Sequence, residues 1–309
     1  MGSIKKIMVA YGTRPEAIKL APVIQLLRAD SRFQTLIVST GQHREMVNQV
    51  TDIFGFKPDI DLALMHKRQP LNRILSRSLK GLDHVLKQHK PDAVLVQGDT
   101  STAASAALAG FNRRSKIVHL EAGLRSFDLG SPFPEEANRK IISAIATCHL
   151  PPTQQAKNNL LKEGIQESAV TVTGNTVIDA LRTVADREVG FSDLRVANAL
   201  NTYRRHVIFT SHRRENLGTL GDIGLALAAL AKKYKDIGFY VPMHMNPKIE
   251  KRLLPGIASL PNVIVTGPLP YDQFIHLMKR SSLIITDSGG IQEEAPTLGF
   301  PALLIRETT

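Results

Sequence analysis

The sequence predicts an α/β protein made of two doubly wound parallel domains, on three observations. Short Val/Ile/Leu-rich runs alternate with longer stretches of helical period from one end of the chain to the other. The runs are apolar throughout, as in strands buried on both faces of a parallel sheet. They fall into two sets, and 309 residues accommodate two domains of about 150 residues each.

The first set of strands is Ile4–Ala10, Thr35–Thr40, Ala93–Gln97, Lys116–Leu120 and Val170–Thr173. The second is His206–Thr210, Phe239–Met243, Asn262–Thr266, Leu283–Thr286 and Ala302–Ile305. Leu71–His89 and Asp222–Tyr234 are the clearest helices between them, with apolar residues three and four apart. The first set closes near Gly174-Asn175, which gives domains 1–173 and 174–309, and the polar stretch Asp186–Asn198 precedes the second set. Open α/β sheets bind ligands beyond the carboxyl ends of their strands. Two such domains facing each other would form a cleft, so the residues after each strand are the candidate site.

Composition narrows the function. Hydrophobic residues are 43% and charged residues 22%, ordinary for a globular enzyme. The net charge of +11 favours acidic partners such as phosphates. The basic residues are scattered in short clusters, aromatics are 5% and Trp is absent, which argues against nucleic acid. The single cysteine, Cys148, excludes an internal disulfide and a Cys-rich metal site, and fits a reducing compartment. The longest near-apolar segment, Ile223–Ala231, is far shorter than the ~20 residues that span a bilayer. A cytoplasmic protein with no membrane contact is expected.

After the first strand, Tyr11-Gly12-Thr13-Arg14-Pro15-Glu16 turns into a helix, with Pro15 suited to the first helical position. Arg14 and Lys19 could reach an anion near that helix start, or be two surface cations. The second strand leads into Thr40-Gly41-Gln42-His43-Arg44, where Gln42 and His43 suit a polar ligand. Ala93–Gln97 runs into Gly98-Asp99-Thr100, where Asp99 or Thr100 is equally an ordinary N-cap. Leu120 is followed by Glu121-Ala122-Gly123-Leu124-Arg125, and a carboxylate there is harder to explain by capping, with pairing to Arg125 the plain alternative. Pro134-Glu135-Glu136 opens a helix whose dipole accounts for at least one glutamate. Asp99, Glu121 and Glu135 all project from one end of one domain. Carboxylates gathered there push one another's proton affinities apart, as general acids and bases require.

In the second domain His212-Arg213-Arg214 follows a strand; a lone histidine is usually structural or exposed, but one followed by two arginines reads better as a phosphate contact. Asp287-Ser288-Gly289-Gly290 opens a helix whose free N–H groups could cradle a phosphate, and Glu294 could accept from ribose hydroxyls. G-x-S-x-G, H-E-x-x-H, P-loop and G-x-G-x-x-G patterns are missing, which disfavours a hydrolase, a metal enzyme, a P-loop NTPase and a dinucleotide site.

Taken together, these segments resemble the non-hydrolysing UDP-N-acetylglucosamine 2-epimerases. The motifs are Gly12-Thr13-Arg14-Pro15-Glu16-Ala17, Gln42-His43-Arg44-Glu45-Met46, Gly98-Asp99-Thr100, Glu121-Ala122-Gly123-Leu124-Arg125, Pro134-Glu135-Glu136-Ala137-Asn138-Arg139, Gly174-Asn175-Thr176, His212-Arg213-Arg214-Glu215 and Asp287 through Pro296. The resemblance implies two Rossmann-like domains facing a cleft in a glycosyltransferase-B-like arrangement, usually as a homodimer. It implies interconversion of UDP-GlcNAc and UDP-ManNAc for bacterial surface polysaccharides, with UDP-GlcNAc also an allosteric activator and no metal or other cofactor. Asp99, Glu121, Glu135 and His212 match its catalytic positions, with the face served by each carboxylate left open. Arg14, Lys19, Gln42, His43, Arg213, Phe274, Ser288, Gly289, Gly290 and Glu294 match substrate-binding ones. The family pattern runs on past Thr309 to a further arginine and a closing helix, so the second domain is expected to be incomplete. A sugar transferase of similar architecture, or a truncated relative that binds a UDP-sugar without turnover, are the alternatives.

Overall fold

In the computed structural model, which describes residues 3–41, 44–64, 69–211, 218–243 and 247–305, every strand pairing is parallel. The chain divides into two units, Met1–Ala180 and Leu181–Thr309. The first holds β1 (Lys5–Tyr11), β2 (Phe33–Ser39), β3 (Ile60–Asp61), β4 (Ala93–Gln97), β5 (Lys116–Leu120) and β6 (Cys148–Leu150), in the order β3-β2-β1-β4-β5-β6. Its helices are α1 (Arg14–Ala29), α2 (Arg44–Phe54), α3 (Leu71–His89), α4 (Ser101–Asn112), α5 (Glu135–Ile145), α6 (Gln154–Lys162) and α7 (Thr176–Ala185), the last crossing the division. From β1 the chain winds outward through β2 and β3, then returns to start again with β4 on the other side. The topological switch therefore lies between β1 and β4.

The core explains this order. Every residue of β4 is buried. Met8, Val94 and Val96 pack with Leu82, Val85 and Leu86 of α3 and with Ala103, Ala106 and Ala107 of α4. Burying one such large aliphatic side chain is worth about 1.5–3 kcal/mol. The alanines of α4 let that helix lie close to the sheet, which brings its N-terminus to the switch.

The second unit holds α8 (Leu194–Thr202), β7 (Arg205–Thr210), α9 (Leu220–Lys233), β8 (Ile237–Pro242), α10 (Pro247–Ile257), β9 (Val263–Thr266), α11 (Tyr271–Arg280), β10 (Leu283–Thr286), α12 (Gly289–Glu294) and β11 (Ala302–Leu304). The order β11-β10-β7-β8-β9 places its switch between β7 and β10. Val207, Phe209, Phe239 and Val241 form its core with Leu227 and Ala231 of α9 and Leu253 of α10.

One strand expected from sequence is corrected. Val170–Thr173 runs beside β6 but makes a single bridge, His149 to Val170. Thr171 N–H donates to His149 O and Thr173 N–H to Pro151 O, yet Pro151 has no N–H to return the next bond, so the ladder stops. The short strands β3 and β6 were not expected.

Gly123 shows how tightly the turn after β5 is packed. Its φ is +84°, and an added Cβ would lie 2.2 Å from Ala156 O. Gly55 has a similar φ of +70° with nothing within 4 Å. Gly123→Ala is expected to cost about 3 kcal/mol in urea unfolding, from strain plus a forced backbone shift, and Gly55→Ala about 1 kcal/mol from strain alone. Equal losses would show that the Ala156 contact relaxes freely.

Candidate active site

Residues from several turns meet at the carboxyl edge of the first unit's sheet. After β1, Thr13 caps α1 in a reciprocal box with Glu16. Arg14 rather than Pro15 takes the first helical position. Glu16 is 1% exposed. Its Oε2 accepts from Gly12 N–H (3.0 Å), Thr13 N–H (2.7 Å) and the Thr13 hydroxyl (2.8 Å), and its Oε1 from the Thr100 hydroxyl (2.6 Å). Burial pushes its carboxyl pKa up, while these hydrogen bonds pull it back. All four groups donate, which suits the carboxylate form.

One helical turn on, Lys19 Nζ lies 2.5 Å from Glu121 Oε1, with both side chains at most 15% exposed. The other carboxylate oxygen of Glu121 accepts from the Gln97 amide. Glu121 has φ +62°, a conformation that costs an ordinary residue roughly 1–2 kcal/mol. Its N–H donates to Leu150 O at 3.0 Å, so β6 holds the chain where it bends out of β5. The strained turn swings Glu121 back toward the end of β4.

There, Gly98-Asp99-Thr100 is held from four directions. Gly98 N–H donates to Leu120 O (3.0 Å), and His119 Nε2 to Gly98 O (2.8 Å). Asn138 Nδ2 donates to Asp99 O (2.8 Å), and Arg139 binds Asp99 Oδ2 through Nε (2.8 Å) and Nη2 (2.7 Å). Thr100 caps α4, its hydroxyl oxygen accepting from Ala103 N–H at 3.0 Å. Of the two residues offered as caps by the sequence, Thr100 does the capping, and Asp99 pairs with Arg139 instead.

The paired glutamates separate in the same way. Glu136 is fully buried, binds Arg139 Nη1 at 3.1 Å and accepts from the N–H groups of Ser126 and Phe127. It is structural. Glu135 opens α5 partly exposed and, among the described residues, has no hydrogen bond or ion pair.

In the second unit the switch carries the other candidates. Thr210 and Thr286 hydroxyls lie 2.7 Å apart, and the Ser211 hydroxyl donates to buried Asp287 Oδ2 at 2.8 Å. Ser288 caps α12, and Gly289 and Gly290 form its first turn. A Cβ on Gly290 would meet only Ser288 Oγ, at 3.8 Å, so the fold itself does not demand glycine there. Glu294 is buried and accepts from the Tyr271 hydroxyl at 3.5 Å, at the start of the helix that carries half-buried Phe274. Gln42, His43, His212 and Arg213 lie outside the described residues. Among those described, no group of three or more His, Cys, Asp or Glu side chains could hold a metal ion, and no helix is long and apolar enough to cross a membrane.

The family model for UDP-N-acetylglucosamine 2-epimerase matches residues 25–309. The chain belongs to that family. A UDP-N-acetylglucosamine 2-epimerase of Yersinia pestis is 45% identical, over 98% of this chain and 82% of its own. The crystal structure of the UDP-GlcNAc 2-epimerase from Neisseria meningitidis bound to UDP-GlcNAc superposes with a TM-score of 0.91 at 43% identity, covering 98% of this chain and 83% of that one. A Rickettsia africae glycosyltransferase, 16% identical with a TM-score of 0.56, shares the fold alone.

Five residues that hold this epimerase-family site in shape were not singled out from sequence: Glu16, Gln97, His119, Asn138 and Arg139. For Glu16 a signal existed, since Thr13-Arg14-Pro15-Glu16 has the spacing of a capping box. Gln97, at the end of an apolar strand, and His119, inside one, gave no such cue.

His119 is fully buried, and burial pushes its pKa down to about 4 against the hydrogen bond to Gly98. Gly98 O can only accept, so Nε2 carries the proton of a neutral ring. The unfolded chain takes up a second ring proton below about pH 6.5. The stability that depends on keeping this ring neutral is therefore complete above pH 6.5 and falls as the pH drops toward 4, by about 3 kcal/mol. His119→Gln, which keeps an N–H for Gly98, should flatten the pH dependence of the urea midpoint over that window. An unchanged slope would show that another group carries it.

Proposed function

We propose that this chain is a non-hydrolysing 2-epimerase that interconverts UDP-GlcNAc and UDP-ManNAc. The observation that carries the reading is the pair of adjacent strand-end turns presenting Asp99 beside Arg139 and Glu121 beside Lys19, in a chain whose relatives at about 45% identity are named for this epimerisation.

The reaction explains why carboxylates are wanted. The C2 hydrogen of the sugar lies beside no carbonyl, so direct removal to a free carbanion is prohibitively hard. Elimination avoids that. A carboxylate takes the C2 proton as the C1–O bond breaks and UDP leaves with the bonding pair, giving 2-acetamidoglucal. A carboxylic acid then returns a proton to C2 on the opposite face while a diphosphate oxygen re-forms the bond to C1. Asp99, Glu121 and Glu135 supply the acid and base. His212 and Arg213 meet the leaving diphosphate, with Arg14 and the Ser288-Gly289-Gly290 turn as further phosphate contacts and Glu294 on the ribose. Gln42, His43, Lys19 and Phe274 complete the substrate contacts, Lys19 also balancing the charge of Glu121.

Family membership further supports a homodimer in the cytoplasm, serving bacterial surface polysaccharide synthesis, with UDP-GlcNAc as activator as well as substrate. The transferase reading has less behind it, since its likeness reaches the fold alone.

Proton NMR of UDP-GlcNAc in deuterated water tests the proposal, because epimerisation must place deuterium at C2. UDP binding without exchange would leave a binding relative, and transfer to an acceptor without exchange a sugar transferase. Asp99→Asn and Glu121→Gln should each lower kcat by roughly 10²–10⁴-fold while UDP affinity stays within about threefold. Deuterium wash-in started separately from UDP-GlcNAc and UDP-ManNAc then tells which carboxylate serves which face. Lost UDP affinity with full turnover at saturation would reassign both residues as ligand contacts.

A further inference from the structure

Glu16 is a buried carboxylate with no part in the chemistry above, and its bonds go beyond capping its own helix. The box with Thr13 needs only Oε2. Oε1 reaches out of α1 to the hydroxyl of Thr100, 84 positions away in sequence and 2.6 Å away in space. Thr100 is the residue after Asp99. Its hydroxyl does two things at once: the oxygen accepts from Ala103 N–H to cap α4, and the proton goes to Glu16. A cap needs only the first. The same carboxylate holds Gly12 N–H and Thr13 N–H in the turn that leads to Arg14.

We infer that Glu16 and Thr100 are positioning residues for the epimerisation: their hydrogen bond locks the turn bearing Asp99 to the turn bearing Arg14, across the β1/β4 switch. The inference rests on the acid/base role proposed for Asp99. Among the described residues, Asp99 has one side-chain anchor, Arg139, and one backbone anchor, Asn138, both from α5. The bond to Glu16 is the tie from α1 on the opposite side of the turn. Without it the turn keeps its ties to α5 and, through Gly98, to β5, but loses its tie to α1, and a shift of about 1 Å at a proton-transfer group costs on the order of 10²-fold in rate.

The test uses the whole chain and three variants, each checked for folding by circular dichroism and a thermal melt. Thr100→Val keeps the shape and removes the hydroxyl, Thr100→Ser keeps the hydroxyl, and Glu16→Leu removes the acceptor at the other end of the same bond. Thr100→Val is expected to lower kcat and C2 deuterium exchange together by roughly 10–100-fold with KM within about threefold, and Thr100→Ser to stay within about threefold of the parent. The double variant Glu16→Leu with Thr100→Val should be no slower than the slower single, because both remove the bond between these residues. If Thr100→Val does not fold, Thr100→Ala replaces it in the same comparison. A folded hydroxyl-free variant with parental kcat, a serine variant as slow as the valine one, or a loss confined to KM would each overturn the positioning role. No exchange by the parent chain would overturn the epimerase reading and this inference with it, an outcome distinct from an active parent with an unaffected variant.

Discussion

A carboxylate buried under the ends of two strands can be kept only if its lone pairs meet donors, since an unpaired charge there costs several kcal/mol. Glu16 meets four, from three residues on two turns. Satisfying it fixes the path of the chain after β1 and after β4 at once. Gly12 shows how little slack remains: a Cβ there would lie 2.4 Å from both the Thr40 and Thr102 hydroxyl oxygens, themselves 2.9 Å apart. The switch, where an open sheet exposes its strand ends to a ligand, is thus tightly stitched by side chains.

Charge is distributed around this point in alternation. Lys19 reaches Glu121, and Arg139 lies between Asp99 and Glu136. The carboxylates in the turns after β4 and β5 therefore each have a cation against them, and each cation is anchored on a helix that also holds the neighbouring turn. Such pairs contribute little net stability, because desolvation offsets much of their attraction. Their effect is geometric: a guanidinium held by Glu136 as well as Asp99 cannot follow one carboxylate without dragging the other. Glu135, at the head of the same helix, is then set by its neighbours Glu136, Asn138 and Arg139 even though its own side chain is not tied.

Local features of this design were legible in the sequence, and long-range ones were not. Ala93–Gln97, Lys116–Leu120, Leu283–Thr286 and the helix Leu71–His89 have the observed limits because strong punctuation bounds them: Pro70 before the helix, Pro91-Asp92 and Gly98 around β4. Glu121 stood out because a carboxylate directly after an apolar strand is hard to explain by capping, whereas Asp99, beyond Gly98, read equally as an N-cap. The expected strand Val170–Thr173 failed on the partner's sequence, not its own, since the missing N–H belongs to Pro151. Arg139 and Asp99 are 40 positions apart, and Lys19 and Glu121 are 102. Nothing in a single sequence pairs residues across such distances. What can be read is that Lys19 and Arg139 each sit about one turn into a helix, facing wherever the fold sends them.

The second unit repeats the stitching with different residues, which argues that it answers a general physical need. Its switch lies between β7 and β10, where Thr210 and Thr286 pair as Thr40 and Thr102 do near the first switch. The Ser211 hydroxyl donates to buried Asp287, as Thr100 donates to Glu16. In both units a side-chain hydroxyl from one central strand's turn meets a buried carboxylate from the other's. Strand ends at a switch diverge, because the helices that follow leave on opposite faces of the sheet. Backbone ladder bonds stop where the strands part, and the next polar groups must be satisfied by side chains. A carboxylate suits that place because it accepts several donors at once and offers no proton of its own that would need a partner. The same stitching holds the turns that carry Asp99 and Glu121 in one unit and the Gly289-Gly290 turn in the other, so the groups aimed at the sheet's carboxyl edge are set by the fold before any ligand arrives.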